Sequence, residues 1–227
     1  MFAVGVAFFG AVIAAAAVIT SADAYFASVV LLMHLDSYFS VEKGHIVAVT
    51  GAVTSSTQKL FNQNTAHFNG SSDYLSLPAS ADFLYGTGDF TIEMFAFHET
   101  DVTNLRTLYS SKLSSANPLV LGIYSGKCFV YDGSTFIIHA GAPVLNSWNH
   151  IALVRSGTVV TLYIASVSIG SATVAAARAF GSDTAMTHIG ANPDFGQFSS
   201  GYLSQIRLTK GIARYTTATF SPPNAPF

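Results

Sequence analysis

Trp148-Asn149-His150-Ile151-Ala152-Leu153-Val154-Arg155-Ser156-Gly157-Thr158-Val159-Val160-Thr161-Leu162-Tyr163-Ile164 is the stretch that decides the fold. Two runs of β-branched, aliphatic and aromatic residues flank a short Ser156-Gly157 break. This is the pattern of two antiparallel strands joined by a tight turn. Side chains alternate along a strand, so Ile151, Leu153 and Arg155 share one face and His150, Ala152 and Val154 the other. In the second run Val160, Leu162 and Ile164 oppose Val159, Thr161 and Tyr163. Both faces are largely apolar, so the hairpin is expected deep in a layered β structure with cover on both sides.

Outward from this hairpin the chain reads as all-β from residue 25 to 227. Ser28 to Leu35 is a near-continuous apolar run closed by Asp36-Ser37, a buried strand bounded by turn residues. Residues 36–63 read as polar and irregular. Tyr74, Leu75 and Leu77 form a short strand, and Asp89 to Phe97 alternates. Short runs follow at Leu105–Ser110, Leu119–Tyr124, Lys127–Tyr131 and Thr135–His139, separated by Gly126 and Asp132-Gly133. After the hairpin come Val167–Val174, Ala185–Ile189 and Gly201–Leu208. The proline-rich end, Pro222-Pro223-Asn224-Ala225-Pro226, cannot pair as a strand. There is no repeat and no linker, so residues 25–227 read as one domain.

Of the 227 residues, 50% are hydrophobic and 10% charged, with a formal charge of −2. Ordinary globular chains carry roughly 25% charged residues. Much of the outer surface is therefore neutral, which suits a protein packed against neighbours. The charge balance argues against a nucleic-acid partner, which calls for clustered Lys and Arg. One cysteine, Cys128, excludes an internal disulfide framework and reads as a small buried hydrophobe.

Residues 1–24 stand apart. Met1 to Ile19 has no polar side chain, a length and hydropathy that suit a membrane helix. Ala22-Asp23-Ala24 resembles a signal-cleavage site, but the start carries no Lys or Arg. Ala3, Ala7, Ala11 and Ala15 form a small-residue stripe that lets helices approach closely, while Phe2 to Phe8 alternates as a strand does. The reading favoured is an apolar arm buried in an assembly, with Phe2, Val6, Phe9 and Ile13 making the contacts. Signal peptide and membrane anchor are its alternatives.

Five blocks in order carry a resemblance: Val29–Asp36, Ala66–Leu75, Gly88–Glu93, Trp148–Arg155 and Gly201–Tyr215, the last followed by Phe220-Ser221-Pro222-Pro223. The chain resembles the LamG-like jelly rolls of the concanavalin A-like lectin/glucanase fold, in the version common in bacteriophage structural proteins. That implies an antiparallel two-sheet jelly-roll sandwich. The family's usual Trp after the Thr-Ile-Glu element is replaced near Phe95, and its Asn-Gly turn by Ala165-Ser166. Its acidic pair before the Arg-x-Thr-Lys segment is Ser204-Gln205 here. Calcium needs several hard oxygen ligands, so no cofactor is expected, and calcium is the alternative left without its usual carboxylates.

Candidate chemistry is sparse. Retaining glycosidases need two carboxyls about 5–5.5 Å apart. The three glutamates, Glu42, Glu93 and Glu99, form no such run, and Glu93 reads as a structural hydrogen-bonding group. The seven histidines lack zinc-pair spacing, and His34, His67 and His150 read as partly buried core residues. Arg207, Lys210 and Arg214 read as a solvated edge. Asn192, Asp194, Phe195, Gln197 and Phe198 mix carbonyl oxygens with aromatic rings in one glycine-containing loop, a composition able to stack and hydrogen-bond a sugar. The function expected is a non-enzymatic virion structural, decoration or adhesion protein of a bacteriophage. It would be homo-oligomeric, set among other virion subunits and in contact with host surface glycans. The alternative is a secreted or cell-surface carbohydrate-binding lectin, extracellular, with a cleaved signal.

Overall fold

In the computed structural model, residues 23–37, 39, 41–99, 103–111 and 116–227 are described. The arm at residues 1–22, with Phe2, Val6, Phe9 and Ile13, lies outside them. The deciding hairpin forms as expected, antiparallel from Ile151 opposite Ile164 to Ser156 opposite Val159. Its turn falls one residue later than expected, at Gly157-Thr158, because Ser156 still pairs and Gly157 takes the positive φ of 60°.

The hairpin lies inside an eight-stranded antiparallel sheet. The order is β14 (Val167–Thr173), β13 (Val159–Ile164), β12 (Trp148–Ser156), β7 (Phe90–Phe97), β19 (Ser200–Lys210), β4 (Gln63–Asn69) and β3 (Val53–Leu60), with β1 (Val29–Met33) also on β19. A second sheet of seven strands runs β11 (Phe136–Ala140), β10 (Lys127–Tyr131), β9 (Leu119–Tyr124), β8 (Arg106–Ser111), β16 (Thr187–Ile189), β5 (Tyr74–Leu77) and β2 (Ala48–Thr50). Two small ladders, β6 (Leu84–Gly86) with β15 (Phe180–Gly181) and β17 (Ala191–Asn192) with β18 (Gln197–Phe198), complete the pairing. Among the described residues, helix is confined to short 3₁₀ turns, and no helix is long and apolar enough to cross a membrane. The architecture is an all-β jelly-roll sandwich.

Residues 36–63 are not irregular. They contain β2 and β3, which pair with β5 and β4 at the sheet edges. β3, Val-Thr-Ser-Ser-Thr-Gln-Lys-Leu, is exposed along most of its length. An edge strand that buries neither face shows no apolar alternation, so its periodicity is silent.

The inner faces make one core. Phe90, Ile92, Met94, Ile151, Leu153 and Leu162 from the larger sheet meet Leu75, Leu108, Leu121, Ile123, Cys128 and Val130 from the smaller. Burial pushes the Cys128 thiol up to about 12, so it stays a neutral hydrophobe. On β19 a bulge at Gln205 (φ 51°) resets the register between Ser204 and Arg207. Leu203 and Ile206 then both point inward.

The outer face of the larger sheet is also covered over its central strands, by residues from 211–227. Tyr215 and Phe220 stack at 3.6 Å and pack on Ala152, Val154 and Tyr163. Tyr163's hydroxyl donates to the Thr217 carbonyl (3.1 Å). Beneath this strap Glu93 is fully buried. It accepts from Arg207 Nε (2.9 Å), His150 Nε2 (3.1 Å) and the Tyr215 hydroxyl (2.7 Å). Arg214 gives two 2.8 Å hydrogen bonds to Asp23, and Arg207 a third at 3.1 Å. Two carboxylates thus face two guanidiniums. Arg207 and Arg214 are not a solvated edge; their side chains are 10% and 6% exposed. Lys210 donates to the Ala81 carbonyl instead. Phe227 closes the strap, its ring 4.0 Å from the Arg207 guanidinium and its N–H on Gln205.

Two outcomes follow for stability. Ala165 and Ser166 form the β13–β14 turn at φ 47° and 66°, the conformation an Asn-Gly pair adopts with less strain. Ser166 is also buried, with a hydroxyl that no described residue satisfies. Ser166→Gly should stabilise the domain by about 1 kcal/mol. Calorimetry would read this as a rise of about 2–4 °C in Tm.

The second concerns acid. Burial alone pushes Glu93's carboxyl up, but the His150 hydrogen bond and Arg207's charge outweigh it and hold the carboxyl below its ordinary 4.5. Burial pushes Asp23's carboxyl up too, but the hydrogen bonds from Arg214 and the Tyr25 amide, with the charges of Arg214 and Arg207, together hold it below 3.8. With folded values depressed, the unfolded chain binds more protons through this range. The stabilisation is complete above the ordinary values and is lost as pH falls through the depressed ones. Glu93→Gln should cost about 3–5 kcal/mol at pH 7. In denaturant titrations the gap between variant and parent should narrow steadily toward pH 3.

Candidate functional site

The outer face of the seven-stranded sheet is where side chains meet a cavity. Along β9, Leu119, Leu121 and Ile123 point into the core, leaving Val120, Gly122 and Tyr124 outward; along β10, Cys128 and Val130 point in, leaving Lys127, Phe129 and Tyr131 outward. The register aligns a row across the sheet. Ser76 faces His188, His188 faces Ser110, Ser110 faces Val120, Val120 faces Tyr131, and Tyr131 faces Phe136. The row grades from hydroxyl and imidazole on one side to aromatic rings on the other. Beside this row, opposite Phe129, a glycine is required at 122: a Cβ there would sit 2.8 Å from the Phe129 ring and collide with the Arg106 carbonyl.

Over β8 lies the β17–β18 hairpin, with Ala191 opposite Phe198 and Asn192 opposite Gln197. Its tip, Pro193–Phe195, is a 3₁₀ turn ended by Gly196 at φ 63°. Asn192 is buried and donates through its amide to Gln197 Oε1 (3.1 Å). Arg106 pins the base, donating to the Gly70 and Phe198 carbonyls at 2.8 and 3.2 Å. The Phe198 ring rests near Tyr74, 6.3 Å between centroids.

Between hairpin and sheet opens a cavity of about 680 Å³, within the range of about 300–1,000 Å³ usual for small-ligand sites. Its floor is Val120, Phe129, Tyr131 and Phe136; Asp194, Phe195 and Gln197 form the facing wall, and Leu105 and Gly133 the ends. Phe195 is 59% exposed. The turn carrying Gly133 is rigid. Asp132 Oδ1 accepts from the Ser134 and Thr135 amides, both at 3.0 Å, and from the Ser134 hydroxyl at 2.8 Å. Burial would raise the Asp132 carboxyl, but these bonds and Arg178 hold it below its ordinary value.

Of the five loop residues expected to meet a sugar, the structure places Asp194, Phe195 and Gln197 on the cavity. Asn192 and Phe198 instead hold the hairpin in shape. The aromatic floor had a signal in the sequence: Phe129, Tyr131 and Phe136 occupy outward positions where an uncovered strand face carries polar residues. What had no signal was its meeting with residues 194–197, more than fifty positions later in the chain.

The arrangement offers rings on two sides, with a carboxylate and a carboxamide beside Phe195 on one of them. Asp194 is the one carboxylate among the described lining residues. Glu93 lies on the other sheet, buried under the strap. Ser204 and Gln205, where the family's acidic pair stands, are spent inside the fold: Ser204 donates to the His34 carbonyl (3.1 Å), and Gln205 bonds Gln63 (3.0 Å) and His34 (2.8 Å). Among the described residues no group of three His, Cys, Asp or Glu is placed to hold a metal ion. His98 donates from Nδ1 to the Ser200 carbonyl (3.1 Å), so its role there is structural. Burial, with Arg106's charge adding, pushes it down to about 4.

Comparison with known proteins adds the following. A family model described as the concanavalin A-like lectin/glucanases superfamily matches residues 69–212. No curated protein matches the chain by sequence. Among solved structures, domain 4 of AbnA, a GH43 extracellular arabinanase from Geobacillus stearothermophilus solved with arabinotriose, is similar at TM-score 0.64 and 16% identity. The match covers 82% of this chain and 94% of that one. The binding domain of Paraclostridial Mosquitocidal Protein 1 is similar at TM-score 0.63 and 13% identity, over 81% of this chain and 49% of the other. The receptor binding domain of botulinum neurotoxin D follows at TM-score 0.58 and 14% identity, over 82% and 50%. The chain thus spans about half the length of the two toxin chains. At these identities the likeness is one of fold.

Proposed function

The chain belongs to the concanavalin A-like lectin/glucanase superfamily, and from that premise we propose that it is a non-catalytic carbohydrate-binding module whose site is the cavity between β9, β10 and the β17–β18 hairpin. One observation carries the reading. Three rings at least partly open to solvent, Tyr131, Phe136 and Phe195, line two sides of a cavity that also holds Asp194 and Gln197, with Phe129 buried in its floor. A sugar ring has apolar C–H faces and a hydroxyl edge. Rings take the faces, and a carboxylate and an amide take the edge. Binding without cleavage is supported by the single carboxylate among the described lining residues, since both hydrolytic geometries need two.

The setting we propose is an assembled particle: a virion component of a bacteriophage, homo-oligomeric, using the cavity on host surface glycans. Support comes from the sparse charge of the chain and from the apolar Met1–Ile19 stretch. Asp23, the first described residue, is clasped by Arg207 and Arg214. A secreted lectin is the second reading. In it, cleavage at Ala22-Asp23-Ala24 with a mature start at Tyr25 would remove Asp23 and leave both guanidiniums short of their partner.

The test is a screen of the full chain on an array of immobilised glycans, followed by calorimetric titration of the strongest binder. Phe195→Ala removes a ring 59% exposed, so its stability should stay within about 0.5 kcal/mol of the parent. Loss of one stacking ring at about 0.5–1.5 kcal/mol should weaken binding up to about tenfold. Incubation with the bound glycan should release no reducing ends. An array without binders, or a Phe195→Ala variant that binds as the parent does, would contradict the reading.

A further inference from the structure

The cavity does not end at its rim. Phe136, part of its floor, is also the inner member of a second ring group with Tyr124 and His139. The three planes lie within 20–32° of one another and the centroids 5.5–6.1 Å apart. The rings are therefore near-parallel and offset. Tyr124 and Phe136 are 38% and 39% exposed, and His139 is exposed as well. Each is held in place. His139 Nε2 bonds the Tyr124 carbonyl at 2.9 Å. Phe129 and Tyr131 meet Phe136 edge-on, at 5.1 and 5.5 Å. Partly exposed rings held in place by their neighbours are preorganised for a flat partner, which lowers the ordering cost of binding.

We infer that the ligand is a linear oligosaccharide rather than a single terminal sugar, and that the Tyr124–Phe136–His139 platform is a second subsite taking the unit that follows a disaccharide held in the cavity. The inference rests on the carbohydrate-binding reading above and deepens it. Phe136 serves both subsites, so the chain leaves the cavity across its ring. The rim of the platform supplies polar groups for the hydroxyl edge: the Tyr124 hydroxyl, the His139 imidazole and Lys127, which faces Tyr124 across the β9–β10 ladder. A sugar chain is the occupant that fits, because it repeats the same flat face and hydroxyl edge at successive positions. An isolated apolar ligand would be satisfied by the cavity alone.

The experiment titrates the full chain by calorimetry with linear β-1,4-glucan, β-1,4-xylan and α-1,5-arabinan oligosaccharides of two to six units. In the series that binds, affinity should rise about tenfold as units are added beyond the disaccharide and then level off. The double variant Tyr124→Ala/His139→Ala should abolish that rise and leave disaccharide affinity within twofold. Phe195→Ala should weaken every length alike. Thermal midpoints of the variants report folding, and the length series on the unaltered chain decides the matter should the double variant not fold. Disaccharide binding with no gain for longer chains overturns the second subsite and leaves the cavity reading standing. No binding at any length, in any series, overturns both.

Discussion

Glu93 is the charge on which the closed side of this molecule depends. A carboxylate with no exposure costs several kcal/mol to desolvate and is tolerated only when its lone pairs are met. Here Arg207 on the neighbouring strand, His150 on the other neighbour and Tyr215 from the strap meet them. A carboxylate only accepts, so His150 presents its hydrogen at Nε2. Arg207 and Arg214 pass the pairing on to Asp23. β12, β19 and the strap are tied to one carboxylate on β7, and removing Arg207 would strand its charge.

That clasp gives the sandwich its asymmetry. Each sheet buries one face in the shared core. The larger sheet also buries the outer face of its central strands, under Tyr215, Phe220 and Phe227, and β7 and β12 are buried on both sides for that reason. On the smaller sheet the β17–β18 hairpin, held by Arg106, leaves a gap above β9 and β10. The open cavity and its ring platform are therefore on the side away from the strap. The proposed binding site and the domain's closure thus draw on different residues, and Phe195, exposed at the rim, carries little of the stability.

Much of this was legible in the chain. Trp148–Ile164 announced strands covered on both faces, and the structure supplies core on one side and strap on the other. Asn192–Phe198 announced a mixed polar and aromatic loop. What stayed hidden has physical reasons. β3 is an exposed edge strand with no apolar period to read. Arg207 and Arg214 looked like surface cations because their partners, Asp23 and Glu93, lie far away in sequence. Ala165-Ser166 lacks the glycine that usually marks its turn, and bears the strain. The cavity is a long-range product: outward rings on β10 and β11 become a site only beside residues 194–197.

The most direct test of the open-face account is a backbone amide chemical-shift titration of the full chain with an oligosaccharide it binds. Shifts should be confined to β9, β10, β11 and residues 191–198, with residues 211–227 and the outer face of β7 and β12 unmoved. Shifts centred on the strap, with β9 to β11 silent, would contradict it.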